Sequence, residues 1–444
     1  MHIKNLKASY HTLGCKLNFA ETSAIGRLLA EKGVTRAARG DEPDIIVINT
    51  CSVTETADKK GRQLIRRLAS RYPGAAMVVT GCYAQLKPEE VSDIEGVDIV
   101  LGANDKLKTA EYVERWFDEK KREMEVTPMK DMETFMPSCE KGDRTRYFLK
   151  VQDGCDYFCT YCTIPYARGR SRSGTIAQIV DMARKAGEDG AKEIVITGVN
   201  TGDFGKNTGE TFFDLIRELD KIDSIKRYRI SSIEPNLLTE EIIRWVAFES
   251  RAFMPHFHIP LQAGSDAVLK KMNRHYDTAL FASRIAMIRQ LIPDAFIGVD
   301  VIAGARGETE PEWLRGKEFI DSLDITRLHI FPYSERPGTA ALKLGDSVEQ
   351  GERHRRVGEL TKISDAKLDA FMRKYIGEEM EVLWEHPVRG GKTMHGFTRN
   401  YLRVTAPLQK ELINTLTRVK ITGIDPEEED TLHAEVLVSK TPNS

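Results

Sequence analysis

Short apolar runs alternate with amphipathic stretches through the first third of the chain. Residues 45–48, 77–79 and 97–100 are rich in β-branched side chains, and the stretches 20–32 and 55–71 beside them have helical periodicity. Alternating strands and helices indicate a parallel sheet covered by helices. We therefore predict an α/β domain over residues 1–140. The polar residues 118–146 are predicted to be a linker or a strand pair that joins this domain to the next.

The same alternation continues through the middle of the chain, residues 141–372. The predicted strands lie at residues 148–151, 193–198, 228–232, 257–261, 297–302 and 328–331. Six strands joined by helical crossovers predict an open, partial (β/α) barrel. Enzymes with this architecture place their active sites at the carboxyl ends of the strands.

Residues 373–444 change to short strands after a charged helix predicted over 348–376. The predicted strands lie at residues 380–384, 401–404, 419–421 and 434–438, with glycines at 390, 391, 396 and 423 between them. This pattern predicts a small β-barrel. Residues 386–423 hold seven basic residues, including Arg389, against one acidic residue, with Phe397 and Tyr401 among them. That composition is typical of a nucleic-acid-binding barrel.

Composition and charge are those of an ordinary globular protein. The 444 residues are 41% hydrophobic and 30% charged, and the formal net charge is −2. The chain has neither an apolar run of about 18 residues nor the apolar core of a signal peptide, so we predict a cytoplasmic protein without membrane contact. The segment 55–71 carries six basic and two acidic residues. Such a run is either a solvated helix face or a phosphate-contacting surface.

Three of the seven cysteines form a motif directly after the first barrel strand. Cys155, Cys159 and Cys162 have CxxxCxxC spacing. Three thiolates can hold three corners of a 4Fe–4S cluster, which normally has four cysteine ligands, and one iron then stays open to another ligand. The alternative is zinc, whose sites usually combine two cysteine pairs, or a pair with histidines. The spacing favours the cluster.

A second set of cysteines is spread over the first domain. Cys15, Cys51 and Cys82 each lie in a loop next to a predicted strand or helix end. Because the carboxyl ends of parallel strands bind ligands at one edge of a sheet, these thiols can converge on one point. Three inert, buried cysteines are the alternative, and spacing alone leaves both open. Cys139 has no partner at metal-binding spacing and is predicted to be structurally idle.

Polar residues follow several of the predicted barrel strands. They are Asn200, Glu234, Gln262 and Asp300. Each can instead serve a turn or a helix cap, but as a set around one barrel mouth they favour ligand contact. The basic loop 168–172 after the cysteine motif either contacts phosphate or is a solvated loop.

Together, these motifs resemble those of the radical S-adenosylmethionine (SAM) methylthiotransferases over essentially the whole chain. The CxxxCxxC motif followed by TIPYARG at 163–169 is similar to the radical SAM loop of that family. The contexts TLGCKLN, NTCSVTETADKKGR and TGCYAQ of the other three cysteines resemble the ligands of its auxiliary 4Fe–4S cluster. The carboxyl-terminal barrel resembles the RNA-binding TRAM domain.

The resemblance implies two 4Fe–4S clusters, SAM and an external one-electron donor. One SAM would chelate the open iron of the Cys155, Cys159 and Cys162 cluster and be cleaved to a 5′-deoxyadenosyl radical, which abstracts hydrogen from adenine C2. The cluster of Cys15, Cys51 and Cys82 would bind or donate the sulfur that a further SAM methylates. The residues expected to contact SAM are Tyr161, Thr197, Gly198, Asn200, Ser232, Gln262 and Asp300.

The residues beside the cysteines also resemble one branch of this family. TLGCKLN, NTCSVTETADKKGR and IPYARGRSRS are similar to the branch that acts on N6-threonylcarbamoyladenosine at tRNA position 37. The expected partner is therefore a tRNA anticodon stem-loop and not DNA. The alternatives are the same chemistry on N6-isopentenyladenosine tRNA or on an aspartate of a ribosomal protein. A redox-sensing RNA-binding protein without catalysis is the alternative from another class.

Overall fold

A six-stranded parallel sheet organises the amino-terminal third of the chain. The computed structural model describes residues 3–38, 40–140, 145–385, 387 and 391–437. The first strands are β1 (Lys7–Thr12), β2 (Thr35–Arg36), β3 (Ile45–Thr50), β4 (Ala76–Gly81), β5 (Ile99–Leu101) and β6 (Glu123–Glu125). The helices are α1 (Lys16–Glu31), α2 (Glu55–Arg71), α3 (Cys82–Leu86), α4 (Pro88–Ser92) and α5 (Thr109–Glu119). The strand order is β2-β1-β3-β4-β5-β6, which confirms the α/β prediction.

The central strands of this sheet form because their side chains are apolar on both faces. Every residue of β3 and β4 is buried, as expected for strands with helices above and below. Strands β1 and β2 lay outside the prediction, and β6 lies in the segment 118–146 that was predicted as a linker or a strand pair. The sequence of β1, KASYHT, is polar and mostly half-buried, and β6 is a short edge strand of sequence EME. Neither has the apolar pattern by which a strand is recognised.

The middle of the chain forms the predicted open barrel from parallel strands, with three short antiparallel strands beside them. Its strands are β7 (Ser138–Glu140), β8 (Tyr147–Lys150), β9 (Gln152–Asp153), β10 (Arg172–Ser173), β11 (Glu193–Thr197), β12 (Arg227–Ile230), β13 (His256–Gln262), β14 (Phe296–Ala303) and β15 (Arg327–Pro332). Its helices are α6 (Ile164–Arg168), α7 (Ile176–Glu188), α8 (Phe212–Asp220), α9 (Glu240–Phe248), α10 (Asp266–Lys271), α11 (Thr278–Leu291) and α12 (Glu310–Ser322).

Strand pairing makes this a partial barrel, as the sequence predicted. One sheet has the order β12-β11-β8-β7 and another the order β13-β14-β15. Parallel bridges Tyr228↔Phe253 and Ser232↔His258 join them, so β8 and β11 to β15 form one curved wall. β7 pairs antiparallel with β8 at the outer edge, and β9 and β10 form a small ribbon.

Helix α1 joins the first two parts of the molecule. Its Ala20 packs with Phe148 of β8 and Val195 of β11 in a small buried cluster of its own. The neighbouring residues Leu149 and Ile194 belong instead to the large core under the outer helices. Because successive residues of a strand point to opposite faces, α1 must occupy the inner face of the barrel.

The last part of the chain is helix α13 (Gln350–Arg373) followed by a closed β-barrel. The barrel strands are β16 (Glu379–Trp384), β17 (Thr393–Thr398), β18 (Arg403–Pro407), β19 (Leu416–Ile424) and β20 (Leu432–Val436), in the order β16-β17-β18-β20-β19. β17 was not predicted, and β18 begins after 401 because Tyr401 has a φ of +65° and ends a turn. Arg389, Gly390 and Val438, which the predictions included, lie outside the described residues.

The terminal barrel closes the amino-terminal end of the (β/α) barrel. Arg227 Nη1 donates to the Phe397 carbonyl oxygen at 2.9 Å, and Arg229 Nη2 donates to the Thr398 carbonyl oxygen at 2.7 Å. Arg227 and Arg229 are both buried and stand near the start of β12. The turn between β17 and β18 therefore forms the floor of the larger barrel, opposite the ends where an active site is expected.

Candidate active site

The loop between β9 and α6 carries the motif cysteines, Cys155, Cys159 and Cys162. Gly154 begins this loop with a φ of +70°, and a Cβ there would lie 2.0 Å from the Arg170 carbonyl oxygen. Only glycine fits such a close approach. The backbone N–H of Ile164 donates to Cys162 Sγ at 3.4 Å, so the loop folds partly around its sulfur atoms.

Arg274 holds the motif loop from the opposite side of the barrel. Its Nη1 donates to Cys159 Sγ at 3.1 Å and to the Tyr161 hydroxyl at 3.3 Å, and its Nη2 forms an ion pair with Glu234. Burial raises the pKa of the Cys159 thiol, and the guanidinium charge opposes that rise. Arg274 thus favours the thiolate form of one motif cysteine.

The N-terminal cysteines, Cys15, Cys51 and Cys82, meet at the carboxyl edge of the first sheet. Cys15 precedes α1, Cys51 follows β3, and Cys82 begins α3 directly after β4. A Cβ on Gly14 would lie 2.6 Å from Cys51 Cβ, so the first two loops are in contact. Cys82 and Cys15 both lie close enough to Cys51 to raise its pKa through charge repulsion. The fold therefore brings together three thiols that are far apart in the sequence.

The spacing of the cysteine sulfur atoms within each set bears on whether the set could hold a single zinc ion or a cluster. Among the described residues, neither cysteine set has all of its sulfur atoms within 4.8 Å of one another. Tetrahedral zinc with bonds of about 2.3 Å needs sulfur atoms only about 3.8 Å apart. Neither set is therefore arranged as a closed mononuclear zinc site. Thiolates that each bind a different iron of a 4Fe–4S cluster do not need to lie so close together.

Burial makes these thiols dependent on a cationic partner. It raises the pKa of Cys51, Cys155 and Cys162 to about 12. Without a partner they are protonated at neutral pH, and metal binding would release those protons. The donor chemistry is therefore that of buried cluster ligands and not that of exposed, redox-reactive cysteines.

A cluster of buried charges joins the two cysteine sets. This buried charge cluster consists of Glu21, Lys106, Lys150, Asp153, Arg168 and Arg172. Arg168 Nη1 lies 3.0 Å from Glu21 Oε1 and 2.9 Å from Asp153 Oδ1. Four cations against two carboxylates leave a formal excess of two positive charges, and the charge of Arg168 lowers the pKa of Cys82 against the effect of burial. The buried charge cluster thus favours thiolates in the N-terminal set.

A cavity opens between the two cysteine sets at the carboxyl ends of the barrel strands. It encloses about 720 Å³, its open mouth included. Cys162 and Tyr161 line it from the motif loop, and Val53 and Thr54 line it from the loop after Cys51. The barrel strands contribute Gln262, Asp300, Ile302, Phe331 and Pro332. One bound molecule can therefore touch both cysteine loops.

Comparison with known proteins identifies the family. Residues 7–102 match the uncharacterized protein family UPF0004, and residues 149–320 match the radical SAM superfamily. The threonylcarbamoyladenosine tRNA methylthiotransferase MtaB of Bacillus subtilis is 38% identical over 422 residues, which is 93% of each chain. The chain belongs to the MtaB family of radical SAM methylthiotransferases. The resemblance stated from the sequence motifs is thereby confirmed.

Further relatives and one solved structure are also similar to this chain. The MtaB of Aquifex aeolicus is 33% identical and covers 94% of this chain and 100% of its own. A tRNA-2-methylthio-N(6)-dimethylallyladenosine synthase of Acetivibrio thermocellus is 30% identical, over 93% of this chain and 88% of its own. The radical S-adenosylmethionine methyltransferase TsrM from Kitasatospora setae, solved with cobalamin and a 4Fe–4S cluster, has a TM-score of 0.56 at 14% identity and covers 76% and 77% of the two chains. That likeness concerns the fold alone.

In this MtaB-family chain, the seven residues predicted to contact SAM fall into two groups. Tyr161, Gln262 and Asp300 line the cavity. The others lie outside the cavity lining, at or just after the ends of β11 and β12: Thr197, Gly198, Asn200 and Ser232. Asn200 is buried beside Tyr157 and Asp203, yet its amide makes no hydrogen bond of ordinary geometry with the described residues. A ligand would satisfy that amide, and both groups stay predictions.

Three side chains at the site lay outside the sequence prediction. Arg274 and Arg336 have no local motif, since each acts on a residue far away in the sequence. Arg336 Nη2 lies 2.7 Å from Asp58 Oδ2 and 2.8 Å from Ser52 Oγ, which ties the loop after Cys51 to the segment after β15. Phe331, at the end of β15, is 48% exposed in the cavity wall. Only its place at a strand end could have pointed to it.

The basic face of α2 lies beside the cavity mouth. Thr54, which lines the cavity, caps the start of this helix by accepting a hydrogen bond from the Ala57 N–H. Arg62 pairs with Glu90. The exposed cations are Lys59, Lys60, Arg66, Arg67 and Arg71. This position beside the site favours the phosphate-contacting interpretation over a merely solvated face.

The aromatic residues Phe397 and Tyr401 of the terminal barrel pack toward the larger barrel. Phe397 and Tyr401 stack on each other at 4.8 Å, and Tyr401 also packs against His256 of β13. They lie in the interface between the two barrels, and the nucleic-acid-binding role of the small barrel stays a prediction. Composition could not show that these rings dock one domain on another. The exposed cations of this barrel are Lys392, Arg399, Lys410, Arg418 and Lys420.

Proposed function

We propose that this chain transfers a methylthio group to C2 of N6-threonylcarbamoyladenosine at position 37 of tRNA. The observation that carries the proposal is the cavity shared by the loop of Cys162 and the loop that follows Cys51. One nucleobase in this cavity is within reach of both cysteine sets. Identity of 38% to the B. subtilis MtaB along nearly the whole chain supports this substrate over the others.

The six predicted cysteines are the proposed ligands of the two 4Fe–4S clusters. The motif cysteines would hold the cluster that binds SAM, and the N-terminal cysteines would hold the auxiliary cluster. When bound, the clusters and SAM supply the electron for homolytic cleavage and the sulfur that is transferred. The electron enters from an external one-electron donor. The chain itself binds, orients and excludes water.

The residues in and around the cavity are assigned to contact with SAM, to positioning of the motif loop and to contact with the substrate base. We assign SAM contact first to Tyr161, Gln262 and Asp300, and next to Thr197, Gly198, Asn200 and Ser232. Arg274 positions the motif loop through Cys159 and Tyr161. The exposed ring of Phe331 offers an aromatic face for the adenine of the substrate.

The anticodon loop suits this site because its bases are single-stranded. Extrusion of such a base costs roughly a few kcal/mol or less. We assign phosphate contact to the exposed cations of α2 and of the terminal barrel. In the basic loop after the motif, Arg168 and Arg172 are buried and only Arg170 is exposed to solvent, so this loop adds one further cation.

The wider assignments follow from this function. We propose three domains at 1–140, 141–372 and 373–444, and a cytoplasmic location, where tRNA is found. In the described part of the chain, no helix has the length and apolar character needed to cross a membrane. DNA has no role in the proposed reaction.

Two other functions stay as alternatives to be tested. The same chemistry on N6-isopentenyladenosine tRNA, or on a ribosomal-protein aspartate, would use the same clusters; the dimethylallyladenosine synthase of A. thermocellus is 30% identical. A redox-sensing RNA-binding protein would need no cavity between its two cysteine sets.

The deciding experiment uses anaerobically reconstituted full-length protein with SAM and a strong reductant. The substrates are anticodon stem-loops that carry threonylcarbamoyladenosine or isopentenyladenosine at position 37, and mass spectrometry of the nucleosides is the readout. We expect methylthiolation of the first RNA. Product only on the second would assign the other branch.

A variant separates catalysis from redox sensing in the same assay. Replacement of Cys155, Cys159 and Cys162 together by alanine should abolish 5′-deoxyadenosine formation and retain about half of the iron, because one of two clusters remains. Unchanged 5′-deoxyadenosine formation would refute the assignment of the motif cysteines. A wild-type protein that never cleaves SAM would favour the sensor.

A further inference from the structure

The inner face of the barrel carries polar side chains below the cavity. On β13 and β14, Ile259 and Val299 belong to the core under the outer helices, so the alternate residues face inward. Three such residues on adjacent strands are His258, Asp300 and His329. His258 Nε2 lies 2.6 Å from Asp300 Oδ1, and the rings of His258 and His329 are 5.0 Å apart. None of the three is buried, so the lumen extends down to them.

Lys16 reaches this lumen from the amino-terminal domain. It is the first residue of α1, the helix that fills the inner face of the barrel. Its electrostatic neighbours are Tyr401, Arg146, Asp300 and Arg229. Asp300 lines the cavity, whereas Tyr401 and Arg229 belong to the floor. The ammonium group therefore lies inside the barrel, between the cavity and the floor.

Among the described cations near Lys16 in this lumen, Lys16 itself has no hydrogen-bonded or ion-paired partner. Arg146 Nε pairs with Glu385 at 2.7 Å, and Arg229 Nε pairs with Glu193 at 2.8 Å. Within the part of the chain that the structure describes, Lys16 makes no hydrogen bond and no ion pair. Lys16 is partly exposed to the lumen, where it is less well hydrated than a surface lysine, so an anion or a strong acceptor from a ligand would complete the site.

We infer that Lys16 binds the carboxylate of the threonyl group on the substrate adenosine. The inference rests on the proposed function and adds a subsite to it. An adenine that stacks at Phe331 in the cavity directs its N6 substituent either outward or down the lumen. Down the lumen, the substituent meets one unpaired cation, and a threonylcarbamoyl group ends in one carboxylate. Asp300, an acid that lines the cavity, is already hydrogen-bonded to His258.

This subsite would make the N6 substituent a determinant of specificity. A hydrogen bond to a charged group contributes about 10- to 100-fold in binding. A dimethylallyl group has no charge and would leave Lys16 unpaired, which is how a polar site rejects an apolar analogue. Lys16 would therefore let the enzyme discriminate between threonylcarbamoyladenosine and dimethylallyladenosine, which the clusters alone do not distinguish.

The test compares two stem-loop RNAs, one with threonylcarbamoyladenosine and one with its carboxamide, which has the same shape but no charge. With wild-type enzyme, we expect kcat/KM to be about 10- to 100-fold lower for the carboxamide. With Lys16→Met, the ratio between the two RNAs should approach one, and Lys16→Arg should restore most of it. Lys32→Met, at the other end of the same helix in an exposed ion pair with Glu114, is the matched control and should keep the wild-type ratio.

Three outcomes would overturn the subsite. The first is equal kcat/KM for the two RNAs with wild-type enzyme, a result that needs no variant to fold. The second is a Lys16→Met enzyme with normal iron content and an unchanged ratio. The third is a higher KM for SAM in that variant with both RNAs alike, which would assign Lys16 to SAM. Failure of the proposed function is a different result, in which wild-type enzyme modifies neither RNA but does modify an isopentenyladenosine stem-loop.

Discussion

Replacement of Arg336 by methionine tests whether one buried ion pair aligns the two cysteine sets. The side chains of Arg336 and Asp58 are 4% and 1% exposed, and Nη2 lies 2.7 Å from Oδ2. Nη2 also donates to Ser52, the residue after Cys51. Methionine keeps part of the side-chain volume and removes the charge. The change therefore loosens the auxiliary loop against the cavity without touching a proposed ligand.

The structure sets the size of the expected effect. Removal of one partner of a buried ion pair costs about 3–5 kcal/mol, because it leaves an uncompensated charge. Lys87 Nζ is 3.4 Å from the same carboxylate oxygen, so it compensates part of the charge of Asp58. We expect the lower end, about 3 kcal/mol. For a cooperative unit of 150–250 residues, this lowers the midpoint of thermal unfolding by roughly 6–12 °C.

The assay uses anaerobic protein with both clusters loaded. We expect unchanged iron content and unchanged 5′-deoxyadenosine formation without RNA, but methylthiolation slower by roughly 10- to 100-fold, the range that small misplacements cause. Arg355→Met is the control, since Arg355 is 42% exposed among several carboxylates and its loss should cost at most about 1 kcal/mol. If the Arg336 variant melts and turns over like the Arg355 variant, the alignment role is refuted.

Three further predictions concern the auxiliary set, pH and RNA. Cys51→Ala should lose the methylthio product but still form 5′-deoxyadenosine, and full product would contradict the auxiliary role. Partial loss of solvent in the barrel lumen, with His258 beside it, lowers the pKa of His329 to about 4, so the folded state binds fewer protons than the unfolded state between that value and 6.5. The stability that His329 contributes is thus present above pH 6.5 and is lost as the pH falls toward 4. The thermal midpoint of the His329→Gln variant should therefore fall less between pH 7 and pH 5 than the midpoint of the wild type. An equal fall of the midpoint in both proteins would contradict this prediction. The double variant Lys59→Glu, Lys60→Glu should bind tRNA more weakly, and the slope of log K against log salt concentration should become shallower by about one unit per lost phosphate contact. The control variant Lys221→Glu should change neither quantity. Filter binding at several salt concentrations measures both the affinity and the slope.

The sequence was informative wherever the signal was local. The β-branched runs of the two parallel sheets and the CxxxCxxC motif each lie within a few residues, so they could be recognised without knowledge of the fold. The strand-end positions of the N-terminal cysteines predicted that they could converge, and they lie together. Strand β1, which pairs with β2 and β3, was missed because its burial depends on neighbours that a local pattern does not contain.

The contacts that complete the site are long-range and could not be predicted. Arg274 is 115 residues from Cys159, and Arg336 is 278 residues from Asp58. An arginine that will pair in the interior has the same local sequence as one that will face solvent. Tyr401 shows the same limit, because composition does not tell which side of a small barrel will dock.

The turn between β17 and β18 seals the base of the larger barrel, and this has a consequence for biosynthesis. The ribosome releases that turn only after every cysteine and every strand of the larger barrel has been made. A nascent chain therefore has all of its cluster ligands while Arg227 and Arg229 still lack their carbonyl acceptors. A premature stop codon in the final segment should produce a chain that cellular proteases remove, and not a stable enzyme with weakened RNA affinity.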